Sequence, residues 1–193
     1  MRTGRAIATI GAILTWLIAE TAQAGPIGQP EPELREALRE AIVEPQQVDD
    51  RERTDAWLQS MSVRLARFMP DADERMELLR LVHGEAARAQ IPPELALAVI
   101  EVESRFDRYA VSVAGAQGYM QIMPFWLAEI AGPGENLFLD RTNVRMGCTI
   151  LRYYLDRSQG DLVSALARYN GSYGRPQYPG KVLEALSRRW FRG

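Results

Sequence analysis

Two carboxylates close to the end of one apolar stretch, Glu101 and Glu103, are the side chains in this 193-residue chain best suited to acid–base chemistry. Residues 94–104 are apolar around most of a helical circumference, so a carboxyl at their end is partly withdrawn from water. Burial against apolar neighbours raises a carboxyl pKa, and an acid still protonated near neutral pH can deliver a proton to the bridging oxygen of a glycosidic bond. Glu103 has Ala96, Val99 and Ile100 one and two turns back on its own face, whereas Glu101 has Leu97 and Ala98. Periodicity alone does not choose between the two. Either would equally well end the helix in solvent or meet a cation such as Arg105.

Other reactive groups are sparse. His83 is the only histidine and falls inside a predicted helix, where a place on the helix face is the simpler role than a metal ligand or a triad member. The His, Cys, Asp and Glu residues show no metal-ligand spacing, and neither a metal nor a cofactor is expected. Cys148 is the single cysteine, which excludes an internal disulfide framework. It shares a stripe with Val144 and Leu151, so it reads as a buried, inert thiol.

The elements that must position these groups are helical. Leu34, Ala37, Leu38, Ala41 and Ile42 recur at three- and four-residue steps and predict a helix ending before Pro45. A second helix is expected to carry Trp57, Met61, Leu65 and Phe68, with Asp49 as its cap and Pro70 as its stop. A third begins at Asp71 with acidic residues in its first turn and an edge of Met76, Leu79, Val82, Ala86 and Gln90. Pro92 and Pro93 set up the N-terminus of the helix that ends in Glu103. Residues 114–124, with glycines at 115 and 118, read as an irregular loop leading into a short helical turn. A further helix spans about 143–156, buries Val144, Cys148, Leu151 and Leu155, and has Asn143 as a candidate cap. Asp161 is expected to cap the next helix, which closes near Asn170 and Gly171. A last helix carries Val182, Leu183, Leu186 and Trp190 after Pro179 and Gly180. No alternating strand pattern of useful length occurs, so the fold class is all-α.

Residues 95–124, LALAVIEVESRFDRYAVSVAGAQGYMQIMP, resemble the signature of the soluble lytic transglycosylase family. An apolar helix ends in Glu103 and Ser104, followed by an aromatic at Phe106 and a Ser-x-x-Gly-Ala step from Ser112 to Ala116. The family's Gly-Leu-Met-Gln-Leu-Met-Pro loop corresponds to residues 118–124, with Tyr119 in place of the usual leucine. The Asn-x-x-x-Gly helix follows at Asn143 and Gly147, and the Ala-x-Tyr-Asn segment at 167–170. There the chain departs from the usual Tyr-Asn-Ala-Gly by continuing Gly171, Ser172, Tyr173, Gly174. The resemblance covers about residues 71–186 and is silent on 25–70. It implies a lysozyme-like helical domain acting as a peptidoglycan lytic transglycosylase without a cofactor, and the helices read from periodicity before residue 71 add an N-terminal helical extension to it. Glu103 would be the catalytic acid and base. Ser112, Gln121 and Tyr169 would surround the reacting sugars, Met120, Met123 and Asn170 would line the groove, and Ser104 would brace the helix end.

The same resemblance implies peptidoglycan glycan strands as the partner, and small relatives serve secretion or conjugation machines. Two other readings fit these residues: a goose-type-lysozyme-like hydrolase that consumes water, and a wall-binding or assembly protein that keeps the groove without the activity.

Composition and the first residues bound the rest. Hydrophobic residues make up 47% and charged residues 25%, as in ordinary globular proteins, and the formal net charge of −2 gives no footprint for nucleic acid. Arg2 and Arg5 precede an apolar run over residues 6–19, and Ala22 and Ala24 supply the small residues of a cleavage site, so residues 1–24 read as a signal peptide directing export to the periplasm. The run of about 14 apolar residues is short of the ~20 that cross a bilayer, and Gly25 stands where a lipid anchor would need cysteine, so no stable membrane anchor is expected. Residues 25–70 then form a proline-rich lead-in and helical extension, and 71–193 the main domain. The Arg-rich run at 187–192 is read as dressing the last helix.

Overall fold

The computed structural model describes residues 31–43, 51–130 and 135–191. The expected signal segment, the proline-rich lead-in up to Pro30 and the proposed Asp49 cap lie outside them. Among the described residues eight α-helices follow one another: α1 (Pro32–Val43), α2 (Arg51–Leu65), α3 (Ala72–Arg88), α4 (Pro93–Ser104), α5 (Pro124–Ile130), α6 (Asp140–Arg157), α7 (Leu162–Tyr169) and α8 (Gln177–Ala185). α8 runs on into one wider turn, Leu186–Trp190. Among the described residues the only β pairing is a pair of isolated bridges, Val111 with Gln117 and Gln117 with Ile122, which supports the all-α expectation.

α4 is the axis of the molecule. Pro93 sits at its first turn, where a missing N–H costs nothing, and every residue from Leu95 to Glu101 is buried. A helix apolar all round must be enclosed, and α3, α8 and the C-terminal turn enclose it. α3 begins as the sequence predicts, with the Asp71 carboxylate accepting from the backbone N–H groups of Asp73 and Glu74 at 2.9 Å each. α3 is tied to α6 by ions instead of apolar contact alone. Buried Glu85 accepts from Arg145 at 2.7 and 2.9 Å and from Arg88 at 2.9 Å, and Arg88 continues to the Thr149 hydroxyl at 2.6 Å. Such a cluster contributes little net stability over an apolar replacement, but removing one member leaves a buried charge unpaired, so it fixes the register of the two helices.

The N-terminal helices share this core. Leu34 and Leu38 of α1 and Leu58, Met61 and Leu65 of α2 are buried in one apolar cluster with α3, α4 and α6. Polar contacts add to the docking: the Trp57 indole donates to Glu94 of α4 at 2.8 Å, and Arg64 of α2 donates to the Trp190 carbonyl at 2.8 Å.

Two expectations about helix ends are corrected. α6 starts at Asp140 with Leu139 at the N-cap position, so Asn143 lies inside the first turn and is buried. Its side chain is taken up elsewhere: the carbonyl oxygen accepts from the Met120 N–H at 2.7 Å, and the amide donates to the carbonyls of Gln117 at 2.8 Å and Leu137 at 2.9 Å. The last helix starts at Gln177, before Pro179 and Gly180. Proline is accepted there because the first-turn N–H groups have no intrahelical partner to lose.

Candidate active site

The separation of Glu101 from Glu103 begins with helix geometry, since two residues along an α-helix turn through about 200°. Glu101 points into the C-terminal turn, where the Arg189 guanidinium donates to it at 2.6 Å and the Trp190 indole at 2.9 Å. Another nitrogen of Arg189 pairs with its second oxygen, so both oxygens are committed to holding the C-terminal turn against α4. Glu103 points the other way, into a cavity of about 400 Å³ lined by Val102, Asn170, Ser172, Arg175, Gln177, Tyr178 and Lys181. A hollow between α1, α3 and α6 and another beside Tyr119 do not include Glu103 in their walls.

The chain turns sharply after Glu103. Arg105 and Phe106 both adopt left-handed backbone, with φ of 54° and 68°, a costly conformation for side chains of this size. Ser104 offsets the cost by donating its hydroxyl to the Ile100 carbonyl at 3.1 Å and accepting from the Phe106 N–H at 3.2 Å. The Phe106 ring is wedged between Phe68, at 5.1 Å between centroids, and Trp190, at 5.6 Å. Ser104 therefore braces the helix end, and the wedge fixes the turn that follows it.

Burial pushes the Glu103 carboxyl up from its ordinary value to about 7, against the opposing effect of two hydrogen bonds to the ionised form. One comes from the Tyr178 hydroxyl, which donates at 2.6 Å, and the other from the Asn170 side chain. Burial, with the negative field of Glu103, keeps the Tyr178 and Tyr169 phenols protonated well above their usual range. The arrangement is one carboxyl that is half protonated near neutrality, oriented by neutral donors and open to a cavity. It can both give and take a proton without a large change in pH.

The glycine-containing loop makes the scaffold beside this centre. Gly118 has φ of +75°, and a side chain there would meet the Leu137 carbonyl at 2.6 Å. Gln121, also left-handed with φ of 51°, donates its side-chain amide to the carbonyls of Ala110 at 3.1 Å and Gly118 at 3.0 Å. The Ser112 hydroxyl accepts from the Ala116 N–H at 3.0 Å. Met120 has no exposed surface, and it packs on Gly147 of α6 so closely that a Cβ there would lie 2.7 Å from that of Met120. What Met120 offers the site is its carbonyl, which accepts the Tyr169 hydroxyl at 2.8 Å. Met123 is half-buried just ahead of α5.

Of the expected site residues, Asn170 meets Glu103 directly, and Tyr169 lies within its electrostatic reach while bonding to the loop. Ser112 and Gln121 spend these polar bonds on the loop itself. Sequence reasoning missed Tyr178, together with Ser172, Arg175 and Lys181 of the cavity wall. No local signal marks Tyr178, because its partner is 75 residues away, and the proline and glycine after it look like a boundary. The remaining candidates keep their structural roles. His83 packs its ring on Trp57 at 5.0 Å, and Cys148 is buried with its thiol pushed up to about 12 by desolvation. Among the described residues no helix is long and apolar enough to cross a membrane.

Residues 80–182, more than half the chain, match the family model described as the transglycosylase SLT domain. Curated relatives from three serotypes of Actinobacillus pleuropneumoniae, each named membrane-bound lytic murein transglycosylase C, are 50% identical over 48 residues. That segment is 25% of this chain and 13% of theirs. Among solved structures, the 70 kDa soluble lytic transglycosylase of Escherichia coli aligns with a TM-score of 0.44 at 23% identity, over 79% of this chain and 24% of that one. The chain thus spans a small fraction of the length of the proteins it matches.

Proposed function

The chain belongs to the transglycosylase SLT domain family, and from that premise we propose that it cleaves the β-1,4 bond between N-acetylmuramic acid and N-acetylglucosamine in peptidoglycan without consuming water. Glu103 is the acid and then the base. The observation that carries the reading is the single carboxyl with a pKa raised to about 7, half-buried at the end of α4 and facing a cavity in which no other lining residue among those described is acidic.

Protonated Glu103 gives its proton to the bridging oxygen as the C1–O bond breaks, so the leaving sugar departs as an alcohol. A retaining glycosidase that traps C1 with a protein nucleophile holds a second carboxyl about 5–5.5 Å from the first. The cavity supplies none, which favours the substrate's own acetamido oxygen as the group that bonds to C1. Ionised Glu103 then accepts the proton of the C6 hydroxyl. The C6 oxygen bonds to C1, the acetamido oxygen leaves, and a 1,6-anhydro sugar results with Glu103 protonated again. Tyr178 and Asn170 hold the carboxylate in place between the two transfers and stabilise its charge. The Tyr169 hydroxyl bonds to the Met120 carbonyl, and in the same reading the loop carrying Ser112, Gln121 and Met123 extends the glycan groove beyond the cavity. The same reading includes export to the periplasm through residues 1–24, and service to a secretion or conjugation machine.

Mass spectrometry of digested peptidoglycan tests the chemistry. Anhydromuramic ends, lighter by one water than reducing ends, are the expected products. Reducing ends would assign the chain to the goose-type-lysozyme-like hydrolases, and intact glycan would leave a wall-binding protein.

A further inference from the structure

The cavity that Glu103 faces has a cationic rim. Arg175 and Lys181 both line it and are both exposed. Neither has an ion pair or a side-chain hydrogen bond among the described residues, whereas most arginines of the fold are committed to carboxylates or carbonyls. Glu103 itself pairs with hydroxyl and amide donors and not with these cations. Two positive side chains are therefore turned to a substrate cavity with no protein anion to satisfy them.

The backbone adds to the same field. α8 opens next to Arg175 with no side-chain cap and no acidic residue in its first turn, so its positive end is uncompensated. The Ser172 hydroxyl, in the same wall, is buried and has no hydrogen-bond partner. The loop that carries Ser172 and Arg175 is held in shape by a bond from the Arg175 N–H to the Ser172 carbonyl at 2.8 Å and by Arg168 lying 4.1 Å over the Tyr173 ring. A positioned, desolvated donor beside two unpaired cations recognises an anion, and a guanidinium suits a carboxylate in particular.

Resting on the reading of Glu103 as a glycan-cleaving acid, we propose that Arg175 and Lys181 form a carboxylate-recognition rim that selects glycan strands carrying an acidic substituent on the muramic acid. In peptidoglycan such a carboxylate has two sources, the lactyl group itself where the peptide has been removed, or the attached peptide stem. The rim then makes the site choose muramyl glycan over a neutral N-acetylglucosamine polymer of the same backbone, and it does so through binding, apart from the proton transfers.

The test uses the full chain with Glu103→Gln, so that no ligand is consumed, titrated with three glycans of equal length: peptide-bearing, peptide-stripped with a free lactyl carboxylate, and neutral chito-oligosaccharide. Adding Arg175→Gln and Lys181→Gln is expected to weaken at least one anionic glycan by about tenfold and to change the neutral one far less. Loss confined to the peptide-bearing glycan identifies the stem as the source, and loss on the stripped glycan identifies the lactyl group. Arg175→Lys with Lys181→Arg keeps both charges and is expected to retain binding. An equal loss on all three glycans, no loss on any, or no binding of an anionic glycan at the outset overturns the rim. Failure of the parent reading shows separately, as a wild-type chain that leaves peptidoglycan uncut while its binding still discriminates between these ligands.

Discussion

At the scale of single residues, the proposed chemistry turns on the balance that sets the Glu103 pKa. Burial raises it, and the hydrogen bonds from Tyr178 and Asn170 lower it, leaving the group at about 7. The first proton transfer needs the protonated form, so the rate should decline as pH rises through that value. Tyr178→Phe removes a donor that favours the carboxylate. The Glu103 pKa should then rise, by about one unit for the loss of one charge-assisted bond, and the alkaline limb of the pH–rate profile should move upward with it. A limb that stays in place or moves down would show that Tyr178 does not set the protonation of Glu103. This pairing also marks the limit of what the sequence discloses. Glu101 and Glu103 have equally apolar neighbours one turn back, and what separates them is supplied from residues 170, 178, 189 and 190, brought to α4 only by the fold.

At the scale of elements, three helix starts are legible from local signals. Asp71 and Asp161 cap α3 and α7 as their spacing implies, and Pro93 opens α4. Asn143 shows where local rules fail, because the amide that could cap a helix is the same amide that can clamp a loop, and the loop lies more than twenty residues away in sequence. α6 serves that loop twice, through Asn143 and through the gap above Gly147 into which Met120 fits. Gly147→Ala fills the gap with a Cβ that overlaps Met120, and the expected cost is about 1–3 kcal/mol by analogy with overpacked cores. Displacing Met120 also moves the carbonyl that holds Tyr169, so activity should fall along with stability. Chemical denaturation and a lysis assay on the same variant check both, and a variant as stable and active as the parent would show that this contact does not hold the loop.

At the scale of the whole molecule, the amphipathic repeats announced α1 and α2 but not what they pack against. Their apolar faces join the core that surrounds α4, and α2 reaches the site's supports: Phe68, just past its end, backs the Phe106 ring, and Arg64 holds the Trp190 carbonyl. A chain beginning at Asp71 would lose Leu58, Met61 and Leu65 from that core, each worth about 1.5–3 kcal/mol of burial. It should melt at least about 10 °C lower, or without a cooperative transition, and cleave more slowly. Equal melting temperature and rate would instead mean that the N-terminal helices are an appendage available to a partner.

Glycan cleavage by Glu103→Gln is the most direct measurement of the central claim. The amide keeps the shape of the side chain and cannot exchange the proton, so turnover should drop by about a hundredfold or more while glycan binding persists. The fold should not suffer. A carboxyl with a raised native pKa contributes stability at low pH that is lost as pH rises through about 7, so at pH 8 the variant should melt no lower than the parent. A folded variant that cleaves peptidoglycan within about twofold of the parent rate would contradict the account.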